Sequence, residues 1–182
     1  IEVFSLERAS KSGAVFDEDK LRWLNAIYIR SLNTDDLIKR LEPFLHESGF
    51  QPETLDPQWL KNVIETVKDE LTTLADIGEH IGLFFDERYE ISSDAKHILD
   101  TANARKVIRS FGDFLADATG STREIYIAAI KHAKEKSGVK GRDLFMPVRA
   151  ALTGKITGPE LDKVFVIVGK DSACKRLKRA DK

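Results

Sequence analysis

Apolar residues recur every three or four positions along almost the whole chain, and this spacing restricts the fold more than any other feature. Leu21, Leu24 and Tyr28 follow it in one segment, and Val107 and Phe111 follow it in another. Such spacing lines up one apolar stripe along an α-helix, whereas a half-buried strand needs strict alternation. No segment shows convincing alternation. The sequence therefore predicts an all-α protein, arranged as a two-part helical bundle.

Residues that favour helix starts precede several of these segments. Asp17, Thr34 and Thr122 each stand just before an apolar stripe, where a side-chain oxygen can accept a hydrogen bond from a free backbone N–H group. The pair Asp56-Pro57 combines a capping side chain with a proline at the first helical position. These four positions are predicted helix starts.

Prolines and glycines limit the remaining segments. Pro43 is expected to kink or shorten its helix, and Pro147 is expected to fall near the first turn of its own. The run Val164–Val168 has the composition of a strand. Its position between Pro159 and Gly169 favours a buried helix instead.

The charge of the chain is divided unevenly between its halves. Residues 1–103 carry 11 Lys and Arg against 21 Asp and Glu, a net charge of −10, and residues 104–182 carry 18 against 9, a net charge of +9. A basic half is typical of proteins that bind nucleic acid or another polyanion. Two solvated faces of opposite sign that partly neutralise each other would give the same totals.

Several classes of function are disfavoured by composition. No apolar run approaches the roughly 18 residues of a membrane-spanning helix, and the single cysteine, Cys174, allows no internal disulfide, so a cytoplasmic location is expected. The four histidines lie too far apart to suggest a metal site with Cys174. No nucleophile, base and orienting group can be assembled, so no catalytic residue and no metal ligand are predicted.

The segment Gly141–Leu161 is the best candidate for a binding site. It predicts a helix, a stop at a glycine, a short polar turn and a second helix start. Arg149, beside the free N–H groups of that helix start and the apolar Leu161, could hydrogen-bond and pack against an unstacked base. An ordinary helical hairpin explains the same residues, with Arg149 either solvated or paired to Glu160 or Asp162.

Two basic clusters flank this segment. Lys140 and Arg142 follow three lysines of the preceding helix, and Lys175 and Arg176 lie in the C-terminal tail. Both clusters could contact a phosphate backbone. Cations at the end of a helix also complement its dipole, and this is the commoner explanation of such a tail.

Two motifs resemble a known family. The segment 16–30 reads FDxxKLxWxNxxYIR, and the segment 144–154 reads LFMPVRAALTG, followed by Gly158-Pro159-x-Leu161. In this order they resemble the C-terminal region of bacterial-type glutamyl-tRNA synthetases, which are class I aminoacyl-tRNA synthetases. The resemblance covers nearly the whole chain.

The resemblance implies a division of the chain into three parts. Residues 1–34 would end the region that contacts the tRNA stem. Residues 35–93 and 94–182 would form two helical subdomains that bind the anticodon.

The resemblance also implies roles for individual residues. Arg149, Pro159 and Leu161 occupy positions that contact anticodon bases, and Arg30 lies with Lys20 and Asn25 in a region that packs or touches the inner limb of the tRNA. The implied partner is tRNA(Glu), with tRNA(Gln) as a second candidate; DNA, a membrane or a second copy of the chain is not expected.

The catalytic core of that family has no counterpart in this sequence. The H-x-G-H signature is absent, and Ala9–Gly13 only superficially matches the lysine loop of class I enzymes. A full-length parent would then be a glutamate–tRNA ligase that uses ATP and Mg²⁺, whereas this piece would need no cofactor and would not aminoacylate. The alternative is an all-α protein-interaction module with an acidic and a basic half and no catalytic activity.

Overall fold

A computed structural model describes residues 17–181, and segment 9–13 and the start of the first motif lie outside this range. The described residues contain ten α-helices, short 3-10 turns and no strand, so the prediction of an all-α fold is confirmed. The helices are α1 (Glu18–Ser31), α2 (Thr34–Glu47), α3 (Pro57–Val67), α4 (Ile77–Gly82), α5 (Ser93–Leu99), α6 (Ala102–Asp117), α7 (Arg123–Ser137), α8 (Arg142–Thr153), α9 (Leu161–Val168) and α10 (Lys170–Ala180).

Side-chain caps begin six of these helices, each accepting a hydrogen bond from the backbone N–H group three residues ahead. The predicted caps at Asp17, Asp56 and Thr122 are confirmed. The predicted cap at Thr34 is wrong, because Asn33 caps α2 through the N–H group of Asp36 and Thr34 is already helical. The six caps are Asp17, Asn33, Asp56, Ser92, Thr101 and Thr122.

Both helices that contain a proline continue through it. Pro43 lies inside α2 and does not end it, and Pro147 is the sixth residue of α8 rather than part of its first turn. A proline removes the hydrogen bond to the carbonyl four residues earlier. Those carbonyls belong to Lys39 and Asp143, both of which are solvent-exposed residues.

The helices pack around two hydrophobic cores. The first core lies between α2, α3 and α4 and includes Leu37, Leu41 and Ile64, all fully buried. The second lies between α5, α6, α7, α8 and α10 and includes Phe111 and Val148. This arrangement agrees with a two-part bundle, while the subdomain boundaries at 34/35 and 93/94 stay predictions.

Helix α9 belongs to both cores. Leu161 and Phe165 pack in the second core, and Val164 and Ile167 pack against the first. The predicted helix over Val164–Val168 is therefore confirmed, whereas its burial is partial, because Val164 and Phe165 are buried and Val166 is 43% exposed. Helix α9 thus connects the helices of the second core to those of the first.

Candidate nucleic-acid interface

The end of α8 is fixed by Thr153 and Gly154. The hydroxyl of Thr153 donates to the carbonyls of Arg149 and Lys155, at 2.7 and 3.1 Å, and accepts from the N–H group of Lys155. Gly154 takes the left-handed conformation with φ of +69°, as the sequence predicted. A Cβ atom at Gly154 would lie 1.9 Å from the carbonyl oxygen of Glu90, so only glycine fits here.

Arg149 holds the turn that follows. Its Nη1 atom donates to the carbonyl oxygens of Gly158 and Pro159, each at 3.0 Å. Burial lowers the pKa of the Arg149 guanidinium, and the neighbouring Tyr126 and Glu70 act in the opposite direction. The group nevertheless stays protonated, because an arginine does not lose its proton in a protein.

The alternative pairing of Arg149 is wrong, because both proposed carboxylates have other partners. Glu160 pairs with Lys163 at 2.7 Å, and Asp162 pairs with Arg123 at 2.7 Å. Arg149 is therefore half-buried and bound to backbone carbonyls rather than to a neutralising carboxylate.

A stripe of cationic and aromatic side chains runs along the outside of α8. Arg142, Phe145 and Arg149 are spaced at i, i+3 and i+7, so they share one face of the helix. Phe145 is 46% exposed although it is a large apolar residue. An exposed ring between two guanidinium groups is an arrangement on which unstacked bases can pack.

A cleft of about 300 Å³ opens on the other side of the turn. One wall is formed by α4 and the segment after it, including Arg88, and the other by the turn that carries Lys155 and Gly158. The cleft lies where the two cores meet, and its second wall is the turn that Arg149 holds.

The cleft carries charges of both signs. Glu70, Glu79 and Glu90 line it together with Arg88 and Lys155, and Lys155 pairs with Glu79 at 3.2 Å. Carboxylates repel phosphate but accept hydrogen bonds from the amino groups of bases. The cleft is therefore better suited to a base edge than to a sugar–phosphate backbone.

The other two residues predicted to face bases are buried. Pro159 is buried but lines the cleft, and its carbonyl oxygen is one of the two that Arg149 binds. Leu161 is only 7% exposed and packs in the second core. Most of the Leu161 side chain is therefore committed to the core, and its role at a base stays a prediction.

The basic residues near this site point to solvent. Lys140 and Arg142 are exposed, as are the three lysines of α7 that precede them, and none of these five forms an ion pair with the residues that the structure describes. Uncompensated exposed cations are available to phosphates. The three lysines of α7 are Lys131, Lys134 and Lys136.

Arg176 does not have the position expected of a phosphate contact. Its side chain is 1% exposed, Nε donates to the carboxylate of Asp86 at 3.0 Å, and Nη1 donates to the carbonyls of Leu83 and Leu152. The guanidinium also lies 4.7 Å from the centre of the Tyr89 ring. The prediction for Arg176 is corrected, because tertiary contacts make it a buried link between α10, α8 and the segment after α4.

Two neighbours of Arg176, Asp86 and Tyr89, have shifted pKa values. Burial works against the ionised form of Asp86, but hydrogen bonds from Ser172 and Arg176 outweigh it and lower the pKa of Asp86. Burial raises the pKa of Tyr89 to about 12, and its hydroxyl donates to the carbonyl of Ala151. Lys175, the adjacent predicted contact, is exposed and only 4.0 Å from Asp86.

The residues of the first motif lie on α1, apart from α8 and its turn. Arg30 is exposed and donates to the carbonyl of Asp69 at 3.0 Å, whereas Asn25 is half-buried and donates to the carbonyl of Thr72 at 2.6 Å. Lys20 is exposed. Two of the three thus attach α1 to segment 69–72, which follows α3, and their role at an RNA stays a prediction.

The described range, residues 17–181, contains neither a metal-ion cluster nor a membrane-crossing helix. Within that range no group of three or more His, Cys, Asp or Glu side chains lies close enough to hold a metal ion. None of the helices in the same range has the length and apolar character needed to cross a bilayer.

A comparison with protein families identifies the fold around this site. Residues 36–181 match the family described as the anticodon binding domain. The chain belongs to the anticodon-binding domain family. All of the turn, the cleft and the α8 stripe lie inside the matched range, and α1 lies outside it.

Similar proteins span most of this chain but are much longer. Glutamate–tRNA ligase 2 of Syntrophus aciditrophicus is 43% identical over 180 residues, which are 99% of this chain and 37% of that protein. Glutamate–tRNA ligase of Bacillus licheniformis is 36% identical over 97% of this chain and 37% of its own length. The chain matches the C-terminal part of such relatives.

A solved structure has the same fold. The glutamate tRNA ligase of Elizabethkingia meningosepticum superimposes with a TM-score of 0.79 over 98% of this chain and 35% of its own, at 21% sequence identity. The helical arrangement described above therefore occurs within a larger ligase.

Sequence reasoning overlooked two cations of this anticodon-binding domain. Lys155 stands in the turn and Arg88 in the segment after α4, and both line the cleft. Lys155 could have been noted because it is a charge in a short turn between two predicted helices. Arg88 gave no such signal, since only folding brings it to residues 155–159.

Proposed function

We propose that this chain is the anticodon-binding region of a glutamate–tRNA ligase and that it holds the anticodon loop of tRNA(Glu). The observation that carries the proposal is the turn after α8, where Arg149 binds the carbonyls of Gly158 and Pro159 beside a cleft of mixed charge. The match to the anticodon-binding family and the similarity to glutamate–tRNA ligases support it. They do not favour the alternative of a protein-interaction module.

The site would make two kinds of contact with RNA, one to phosphates and one to bases. The exposed cations around Lys140 and Arg142 would neutralise phosphates without regard to sequence. Arg149, Phe145 and the cleft would meet the bases, where hydrogen bonds and stacking discriminate. Positioning and discrimination thus come from adjacent surfaces, and Arg142 belongs to both.

Aminoacylation would be carried out by the rest of the parent ligase. ATP and Mg²⁺ would be used by a catalytic part outside this chain, and residues 1–182 alone would bind tRNA without charging it. The parent would act as a cytoplasmic monomer. A tRNA(Gln) that shares the readable bases would be a second substrate of a less selective enzyme.

Binding of anticodon stem-loop RNA tests the two kinds of contact. Replacing both Lys136 and Lys140 with Ala, two exposed cations outside the α8 stripe, should weaken binding to cognate and scrambled loops equally and should flatten the salt dependence of the binding constant. The matched control is the double substitution of Arg105 and Lys106, two exposed cations of α6, which should have little effect.

Arg149→Ala should weaken binding to the cognate loop by about 1–3 kcal/mol and affect a scrambled loop less. Arg149→Lys keeps a cationic hydrogen-bond donor for the carbonyls of the turn. Unfolding measurements on both variants separate an effect on RNA binding from an effect on protein stability. Equal losses on both loops would reduce Arg149 to a phosphate contact. Undetectable RNA binding by the unmodified chain at low salt would overturn the proposal.

A further inference from the structure

The backbone of both walls of the cleft is bound by one buried arginine. The Nη1 atom of Arg176 donates to the carbonyl oxygen of Leu83, at 2.9 Å, and to that of Leu152, at 2.8 Å. Leu83 lines the cleft on the wall that follows α4, and Leu152 directly precedes Thr153, which lines the cleft at the start of the turn. Because Arg176 is only 1% exposed, it joins the two walls without itself being presented to a ligand.

Tyr89 makes a second connection between the same walls. It lines the cleft, and its hydroxyl donates to the carbonyl oxygen of Ala151 in α8, at 2.7 Å. The guanidinium of Arg176 lies over the ring, 4.7 Å from its centre. Since a cation is attracted to the face of an aromatic ring, the position of Tyr89 also depends on Arg176.

Arg176 is itself held in one orientation. Its Nε atom donates to one carboxylate oxygen of Asp86 at 3.0 Å, and the hydroxyl of Ser172 donates to the other at 2.8 Å. A guanidinium is planar and its donors point in fixed directions, so anchoring one edge on Asp86 also sets the directions in which Nη1 donates. The separation of the two wall carbonyls is thereby determined.

We propose that Arg176 is a positioning residue for the discrimination of anticodon bases, because it sets the distance between the two walls of the cleft. This rests on the proposed function, in which the cleft meets a base edge. Arg149 binds the carbonyls at the far end of the turn, and Arg176 binds the carbonyl of Leu152 at its near end. The turn is therefore held by one arginine at each end. Such support matters because hydrogen-bonding groups select a ligand only when they are held to within about 0.5 Å.

The phosphate contacts proposed above do not involve Arg176. Lys136 and Lys140 are exposed and lie at the end of α7 and after it, whereas Arg176 contacts α8 and the segment after α4. A change at Arg176 should therefore alter base discrimination and leave the salt dependence of binding unchanged, because the number of neutralised phosphates stays the same. A variant that only unfolds more easily would instead lose binding to every RNA equally. These two readouts separate positioning from a purely structural role.

Binding of anticodon stem-loop RNA to the Arg176→Lys variant of this chain tests the proposal. Lysine keeps a cation beside Asp86 but lacks the planar fork that reaches both carbonyls. We expect the ratio of the affinities for the tRNA(Glu) loop and for a scrambled loop to fall by about three- to tenfold, with an unchanged salt slope. The matched control is Arg109→Lys, in a second arginine–carboxylate pair that links α6 to Asp181 and lies outside the cleft. This control should change neither the ratio nor the slope.

Asp86→Asn supplies a second test in which the arginine is retained. Asparagine keeps an acceptor for Nε but removes the charge that orients the guanidinium, so the affinity ratio should fall in the same direction, by about two- to threefold. Circular dichroism of each variant shows whether it is folded at the temperature of the binding measurement. If Arg176→Lys is not folded there, Asp86→Asn decides the question.

The remaining outcomes overturn the proposal. An unchanged affinity ratio in the folded variants would leave Arg176 with a purely structural role. Equal losses on both loops with a flatter salt slope would make it a phosphate contact. If the unmodified chain binds neither loop, the proposed function fails as well. If the unmodified chain prefers the cognate loop and the variants keep that preference, only the role of Arg176 fails.

Discussion

At the scale of single residues, the turn after α8 depends on a glycine and an arginine with different physical roles. Gly154 permits a left-handed backbone and the close approach of the Glu90 carbonyl, and the N–H group of Ser92 donates to the Gly154 carbonyl at 2.9 Å. Arg149 then binds the carbonyls further along the turn. The shape of the candidate site is therefore set by backbone contacts made before any ligand binds.

Replacing Gly154 with Ala should destabilise the protein by about 2–4 kcal/mol, because a strained backbone conformation is combined with a clash against a backbone carbonyl. Denaturant unfolding measures the loss. The matched control is Gly138→Ala, since Gly138 has φ of +71° but no atom within 4 Å of the added Cβ. Gly138→Ala should lower the free energy of unfolding by about 1–2 kcal/mol. Equal costs would mean that segment 90–92 moves aside easily.

At the scale of elements, α9 couples the two cores. Eight residues supply Leu161 and Phe165 to one core and Val164 and Ile167 to the other, so neither core is complete without this helix. The turn that Arg149 holds immediately precedes α9. We therefore expect a change in the packing of either core to affect the position of that turn.

Val164→Ala should destabilise the whole chain by about 1–3 kcal/mol, because two buried methyl groups are lost from the first core. Tryptophan fluorescence reports the N-terminal part, where both tryptophans lie, and far-ultraviolet circular dichroism reports all helices. The two transitions should shift together. Val166→Ala, the same change at a 43% exposed position of α9, should shift neither by more than about 0.5 kcal/mol. Separate transitions would contradict the coupling.

At the scale of the whole molecule, low pH should lower the free energy of unfolding, because a few stabilising carboxylates become protonated. Burial opposes the ionised form of Asp76, but hydrogen bonds from Thr73 and Thr72 outweigh it and lower its pKa to about 2. The pKa of Asp86 is also lowered. Because an unfolded Asp titrates near 3.9, these groups stabilise the fold fully above about pH 5 and lose their contribution as the pH falls.

We expect the free energy of unfolding to decrease between about pH 4 and pH 2, with about 1–2 kcal/mol of the loss due to Asp76. Urea unfolding across this range measures the slope. Asp76→Asn should lower stability at neutral pH and make the slope shallower, whereas Asp113→Asn, at an exposed position of α6, should leave the slope unchanged. An unaltered slope for Asp76→Asn would refute this assignment.

Much of the fold followed from local chemistry. The caps at Asp17, Asp56 and Thr122, the left-handed stop at Gly154 and the helix over Val164–Val168 were predicted because each depends on residues within one or two turns. Errors arose where neighbouring residues competed, as when Asn33 rather than Thr34 capped α2. Pro147 was misplaced because α8 begins five residues before it, at Arg142.

Periodicity, charge and capping are local properties, so the sequence alone predicted an all-α chain with a basic half and an arginine five residues before a glycine stop. Which charges face solvent depends on how the helices pack together. Arg176 looked like part of an exposed basic tail, yet it is buried against Asp86, ninety positions away. The cleft likewise exists only because Arg88 and Lys155 are brought together from distant segments. Burial depends on contacts between residues far apart in the chain, and no local pattern records them.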